Sequence, residues 1–222
     1  MEQQTQTITR SSTSVLSQNR VIRNTYLLLS LSLLTGALAA WYAMVTQAPP
    51  MGLFMIIIYF ALFFATNALR NSPWGLVCVF ALTSFLGYTL GPILNLYLHN
   101  YANGAQLISM SLGCTAIVFF ALSAYALTTR KDFSYLGGFI TVACMVAFIG
   151  GLAAIFFHLP TLSLLVSGAF TLVSAGYILF ITSQLVNGGE TNYIMATVML
   201  YVSIFNLFIS LLNIFGAFGG RR

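Results

Sequence analysis

No Asp, Glu, Lys or Arg stands in the middle of any of the seven apolar blocks that fill the chain from Asn24 to Phe218. The blocks are Asn24–Thr46, Met51–Leu69, Trp74–Leu98, Ala105–Thr128, Ser134–Phe157, Thr161–Val186 and Tyr193–Phe218. Each reaches the length of about 20 residues that a helix needs to cross the hydrocarbon core of a bilayer. Residues that break helices separate them: Pro49-Pro50, Pro73, Asn103-Gly104, Arg130-Lys131-Asp132, Pro160 and Gly188-Gly189. A membrane β-barrel would instead alternate in polarity over segments of about ten residues. The expected fold class is therefore all-α, a polytopic membrane protein with seven transmembrane helices. Six or eight crossings are the alternatives if one block is re-entrant.

Composition closes the soluble alternatives. Of 222 residues 59% are hydrophobic and 5% charged, against roughly 25% charged in ordinary soluble domains. Three acids and eight bases cannot clothe a globule of this size. Disorder, nucleic-acid binding and a disulfide-stapled secreted scaffold are excluded with it. Cys78, Cys114 and Cys144 fall in three different blocks without a CxxC pair, and read as packing residues. His99 and His158 stand alone at helix ends, so no metal or other cofactor is expected. With no nucleophile–base pair, phosphate loop or HExxH, nothing argues for an enzyme.

The bases set the orientation. Residues 1–23 are rich in Ser, Thr and Gln and contain Arg10, Arg20 and Arg23, and are expected to form a flexible, polar cytoplasmic tail. No small-residue cleavage site closes the apolar stretch that follows, which reads as a retained span. With that tail inside, Arg70, Arg130 and Lys131 also fall inside, and the outer loops carry no base. Only Arg221 and Arg222, in the short tail 219–222, fall outside. The excess of positive residues on the inner side fits a cytoplasmic amino terminus and an outer, periplasmic carboxyl terminus. The membrane domain spans residues 24–218.

Several polar features stand out against this background. Gly87 and Gly91 form a GxxxG followed at once by Pro92; the pair either lets a neighbouring helix approach closely or marks a hinge or broken helix lining a cavity. Asn67, Asn95 and Asn206 are amides in or beside blocks, suited to bonds between helices or to the wall of a polar cavity. Ser203, Asn206 and Ser210, at i, i+3 and i+7, give the seventh block a polar stripe and make it a candidate for the centre of the bundle. Glu190 follows Gly188-Gly189 and suits the positive end of the last helix.

Five ordered segments are distinctive together: Arg23-Asn-Thr-Tyr-Leu-Leu-Leu-Ser30, Phe85-Leu-Gly-Tyr-Thr-Leu-Gly-Pro-Ile-Leu-Asn95, Ala124-Tyr-Ala-Leu-Thr-Thr-Arg-Lys-Asp132, Gly188-Gly-Glu-Thr-Asn-Tyr-Ile194 and Leu200-Tyr-Val-Ser-Ile-Phe-Asn-Leu-Phe208. They resemble the Bax inhibitor-1 (transmembrane BAX inhibitor motif) family from about Arg20 to Gly216. The resemblance is strongest to a bacterial branch of it. It implies a seven-helix bundle in which the last helix is wrapped by the others. It also implies one of two activities. Some members leak calcium in a pH-dependent way through a sensor of two aspartates, one late in the sixth helix and one in the middle of the seventh. In the bacterial branch, the protein is a substrate and modulator of FtsH, the membrane-anchored AAA protease of the inner membrane.

Matching those motifs puts Ile181 at the first aspartate position and Ser203 at the second. An isoleucine and a serine cannot share a proton as two acids do, and they offer no anionic oxygen to calcium. The resemblance therefore favours the lipid bilayer and FtsH as partners, with calcium a partner only in the channel reading. The tail, from Met1 through Arg10 to Arg20, is the expected handle for the protease.

Overall fold

The computed structural model describes residues 2–52 and 54–219, with side chains from residue 18 onward. Among the described residues there are seven helices and no β-strand: α1 (Glu2–Val45), α2 (Phe54–Ala68), α3 (Trp74–Asn100), α4 (Gly104–Thr129), α5 (Leu136–Phe156), α6 (Pro160–Asn187) and α7 (Tyr193–Phe218). Six apolar stretches are long enough to cross a membrane: Gln18–Val45 of α1 and the whole of α3, α4, α5, α6 and α7. α2 has 15 residues, about 22 Å at 1.5 Å per residue, and falls short of a hydrocarbon core of about 30 Å. Its block was expected to run from Met51 to Leu69. The turn at Gly52, whose φ is +54°, and the turn that begins at Leu69 take the ends away.

α1 begins at Glu2, so residues expected as a tail carry helical backbone that runs straight into the first span. No Pro or Gly occurs before Gly36 to interrupt it. Met1 and Arg10 lie outside the described side chains, and Arg221 and Arg222 lie outside the described residues.

Packing follows the distribution of small and branched residues. α1 lies along α3, α6 along α7, and α5 against α6, while α2 makes its main packing against α3. α7 packs against α1, α3, α4 and α6, and half of its apolar stretch is buried, against 17% for α5. The main core joins Leu29, Val79, Leu82, Ile178, Leu185, Val198, Leu200 and Leu207 from α1, α3, α6 and α7. Large apolar side chains such as Leu34, Leu38, Ile57, Phe139, Val146, Ile149 and Leu172 point outward. In water such a surface would aggregate; in a bilayer it is the solvent-facing side.

At the α1–α3 contact the glycines stand where backbone meets backbone. A Cβ on Gly87 would run into the backbone of Gly36, and one on Gly91 into Ala43 and the amide of Met44. The Asn95 side-chain amide donates to the Met44 carbonyl at 3.0 Å, and α3 continues as one helix through Pro92. Tyr201 of α7 closes the same region, its hydroxyl donating to the Thr83 carbonyl at 2.8 Å.

Candidate functional site

Two places collect the polar groups that the apolar bulk leaves over. One is the end of the bundle that carries the loops α2–α3, α4–α5 and α6–α7. α6 ends there because Gly188 takes the left-handed conformation, φ +77°, and caps it. Asn192 then starts α7, its side-chain oxygen accepting from the amides of Ile194 at 3.0 Å and Met195 at 3.1 Å. Its amide nitrogen reaches across to donate to the Arg70 carbonyl at 3.1 Å and to Asn71 Oδ1 at 2.9 Å. Glu190 turns inward to accept the Asn192 amide at 2.8 Å. Ser183, fully buried on α6, ties down the third loop. Its hydroxyl donates to the Lys131 carbonyl and accepts from the Phe133 amide, both at 2.9 Å, and Asn187 donates to Lys131 and to Ser183 itself.

These bonds hold three loops in one rigid surface from which Arg70, Arg130 and Lys131 project into solvent. Ser183→Ala removes both hydroxyl bonds to the α4–α5 loop; the Phe133 amide loses its partner while the Lys131 carbonyl keeps only the longer bond from Asn187, a cost of about 1–2 kcal/mol. Trypsin cleavage after Arg130 and Lys131 in the detergent-solubilised protein is expected to accelerate in this variant. An unchanged cleavage rate would mean that the loop is held by something else.

The second place is a cleft between α2 and α5, floored by α6 and α7. It has a volume of about 330 Å³ and is lined by Tyr59, Cys144, Ser174, Tyr177, Ser203 and Asn206 among apolar neighbours. A further space of about 430 Å³ on the α2 side shares Tyr59, Cys144 and Asn206. Ser203 is 3% exposed, and its hydroxyl returns to its own helix, donating to the Met199 carbonyl at 2.7 Å. Asn206, one turn on, faces the same cleft. Ser210, the third member of the polar stripe, is buried and does not line it.

Ile181 is 3% exposed within the hydrophobic core and is not part of the cleft wall. The two positions expected to stand in place of an aspartate sensor, Ile181 and Ser203, are thus a core isoleucine and a serine bonded within its own helix. No carboxylate lines the cleft, and no group of three or more His, Cys, Asp or Glu that could hold a metal occurs among the described residues. Arg20 is exposed on α1, at the start of its apolar stretch. Asn67 is exposed at the end of α2, its Oδ1 accepting from Arg70 at 3.4 Å.

Sequence reasoning did not pick out Tyr59, Ser174, Tyr177, Ser183 or Asn192. Only Asn192 carries a local signal, an Asn immediately before an apolar run. The others become visible only when distant helices are laid side by side.

The chain matches the family described as "Inhibitor of apoptosis-promoting Bax1" over residues 18–220. It is 53% identical over 201 residues to an uncharacterized protein of Pseudomonas aeruginosa, covering 90% of each chain. It is 51% identical over 205 residues to the Escherichia coli K12 protein named "Modulator of FtsH protease YccA", covering 92% of this chain and 93% of that one. An uncharacterized membrane protein of Vibrio cholerae is 42% identical over 212 residues, 95% of each chain.

Proposed function

This chain belongs to the Bax inhibitor-1 family, and from that premise we propose that it is a bacterial inner-membrane protein that binds FtsH and modulates it as a slowly degraded substrate. The observation that carries the reading is the 51% identity, over nearly the whole of both chains, to the protein named as a modulator of that protease. In this reading α2 completes seven crossings, α7 is the central helix, the amino terminus is cytoplasmic and the carboxyl terminus periplasmic. Lys and Arg placement supports that orientation: the loops with Arg70, Arg130 and Lys131 share one end of the bundle, tied together through Asn192 and Ser183.

The mechanism follows from two mechanical properties. A protease of this kind must grip a polar cytosolic end before it pulls helices out of the bilayer. Residues 1–23 supply that end, with Met1, Arg10 and Arg20 along it. A helix rich in Ser, Thr and Gln has low intrinsic stability and unravels readily where no partner covers it. The bundle beyond it resists. Its first span is locked to α3 by backbone contact at Gly36 and Gly87 and to α7 through the Thr197 hydroxyl, which donates to the Thr25 carbonyl at 3.2 Å. A substrate that is easy to grip and slow to extract occupies the protease and slows its work on other proteins.

The channel reading is the weaker one, because Ile181 and Ser203 supply no acid pair and no carboxylate lines the cleft. Deleting residues 2–20 tests the handle. Turnover by FtsH is expected to fall at least about tenfold, on the order of one hydrogen-bonded or buried anchor lost from a docked segment, while the helical content of the remainder is kept. Turnover and association equal to those of the full chain would remove the tail from the mechanism.

A further inference from the structure

The cleft between α2 and α5 has no part in the protease mechanism, yet four of the residues lining it carry polar groups that make no hydrogen bond to the described protein. Hydroxyls on membrane helices normally return a bond to the carbonyl one turn back. Here Ser203 does so to Met199 and Thr141 to Gly137. Ser174 does not: it is 3% exposed, lines the cleft, and makes no hydrogen bond to the described protein. Tyr59, Tyr177 and Asn206 line the same space, and their hydroxyls and amide likewise make no hydrogen bond to the described protein. Each unpaired donor in a hydrocarbon surround costs about 1–3 kcal/mol or more. Four such groups converging from α2, α6 and α7 point to an acceptor that enters the cleft.

The surroundings define that acceptor. No charged side chain lines the space, so neither a phosphate head nor a cation finds a counter-charge. Asn206 is near the midpoint of α7, and Ser174 and Tyr177 lie near that of α6, a depth that polar lipid heads do not reach. α2 and α5 make their main packing against α3 and α6, not against each other, which leaves the mouth open sideways to the bilayer. Phe63 and Phe170 join the two tyrosines along the wall, and a lining of four aromatic rings suits a flat conjugated head. The volume of about 330 Å³ falls within the usual range for small-molecule sites, about 300–1,000 Å³.

We propose that this cleft binds a membrane-soluble quinone, its ring between the aromatic side chains and its carbonyl oxygens accepting from Asn206, Ser174, Tyr59 or Tyr177, its isoprenoid tail leaving between α2 and α5. The site is a binding site; no redox step is assigned to it. It stands independently of the protease reading.

The test uses the full chain in nanodiscs and a photoreactive short-tail ubiquinone analogue, with labelled peptides mapped by mass spectrometry. Saturable labelling of α5, α6 or α7 peptides is expected, displaced by decylubiquinone and not by dioleoylglycerol. Asn206→Leu and the double variant Ser174→Ala, Tyr177→Phe are each expected to weaken displacement about tenfold, the loss of one to two hydrogen bonds. The double variant removes only hydroxyl oxygens, so it remains informative if Asn206→Leu fails to fold. Labelling that does not saturate, that spreads over the outward faces of other helices, that dioleoylglycerol displaces equally well, or that the double variant leaves unchanged would overturn the proposal.

Discussion

Gly87→Val is expected to prevent stable folding, whereas Gly113→Ala on α4 is expected to leave the protein intact. The difference comes from what each new side chain would meet. At Gly87 even a Cβ overlaps the backbone of Gly36, with the Gly36 carbonyl carbon at 2.7 Å, whereas at Gly113 nothing lies within 4 Å. Main chain cannot rotate aside as a side chain can, so α1 and α3 must separate. That separation also strains the Asn95 bond to Met44 and the Tyr201 bond to Thr83. Overpacking in cores costs about 1–3 kcal/mol where side chains can adjust, and a backbone clash belongs at or above the upper end. A loss of about 3 kcal/mol lowers the melting midpoint by roughly 10 °C for a chain of this length. Thermal unfolding in detergent, followed by circular dichroism, reads both variants. A Gly87→Val protein that melts within a degree or two of the native one would show that the α1–α3 contact is looser than its geometry.

The native protein is expected to give no pH-dependent calcium flux into liposomes, and the variant carrying Ile181→Asp with Ser203→Asp is expected to give one. Calcium draws most of its binding from anionic oxygens, and no carboxylate lines the cleft. Asp132 and Glu190 both belong to loops at one end of the bundle, each accepting from a backbone amide two residues on. In the variant, two acids on facing helices share a proton at low pH and both ionise as pH rises. Flux should therefore increase from acid to neutral pH in the variant and stay at the protein-free level in the native chain throughout. Ile181→Asp alone buries an unpaired acid among Ile178 and Leu185 and is expected to cost several kcal/mol in stability at neutral pH. Native flux that rises with pH would establish a pore that needs no acid pair and would reverse the order of the two functional readings.

The architecture was largely legible because lipid imposes a coarse code. An apolar run of about 20 residues with breaks at Pro, Gly and bases has few folds open to it, and five of the seven helices start and stop within two residues of the expected blocks. α2 departs because hydropathy does not register the turn at Gly52 or the one after Ala68. α1 departs at its start because a polar, breaker-free segment can be helical or flexible with equal ease, and composition alone does not separate them.

The sites were only half legible. The stripe on the last block pointed to Ser203 and Asn206, and both line the cleft. Their companions did not show, because Tyr59 and Tyr177 look like any aromatic in an apolar run, and Ser174 like any small packing residue. What brings them together is one cleft shared by α2, α6 and α7, a property of packed helices and not of sequence. The Ser183–Lys131 tie is hidden for a related reason: it joins residues 52 positions apart, and no local pattern encodes which loop a buried hydroxyl will hold.

The central functional reading is tested most directly by reconstituting FtsH in proteoliposomes with a second, rapidly degraded membrane protein, and adding this chain in molar excess. Degradation of the second protein is expected to slow severalfold while this chain itself disappears slowly, and the version lacking residues 2–20 is expected to slow it much less. Degradation of the second protein at an unchanged rate, with the full chain folded and present in excess, would contradict a role as modulator of the protease.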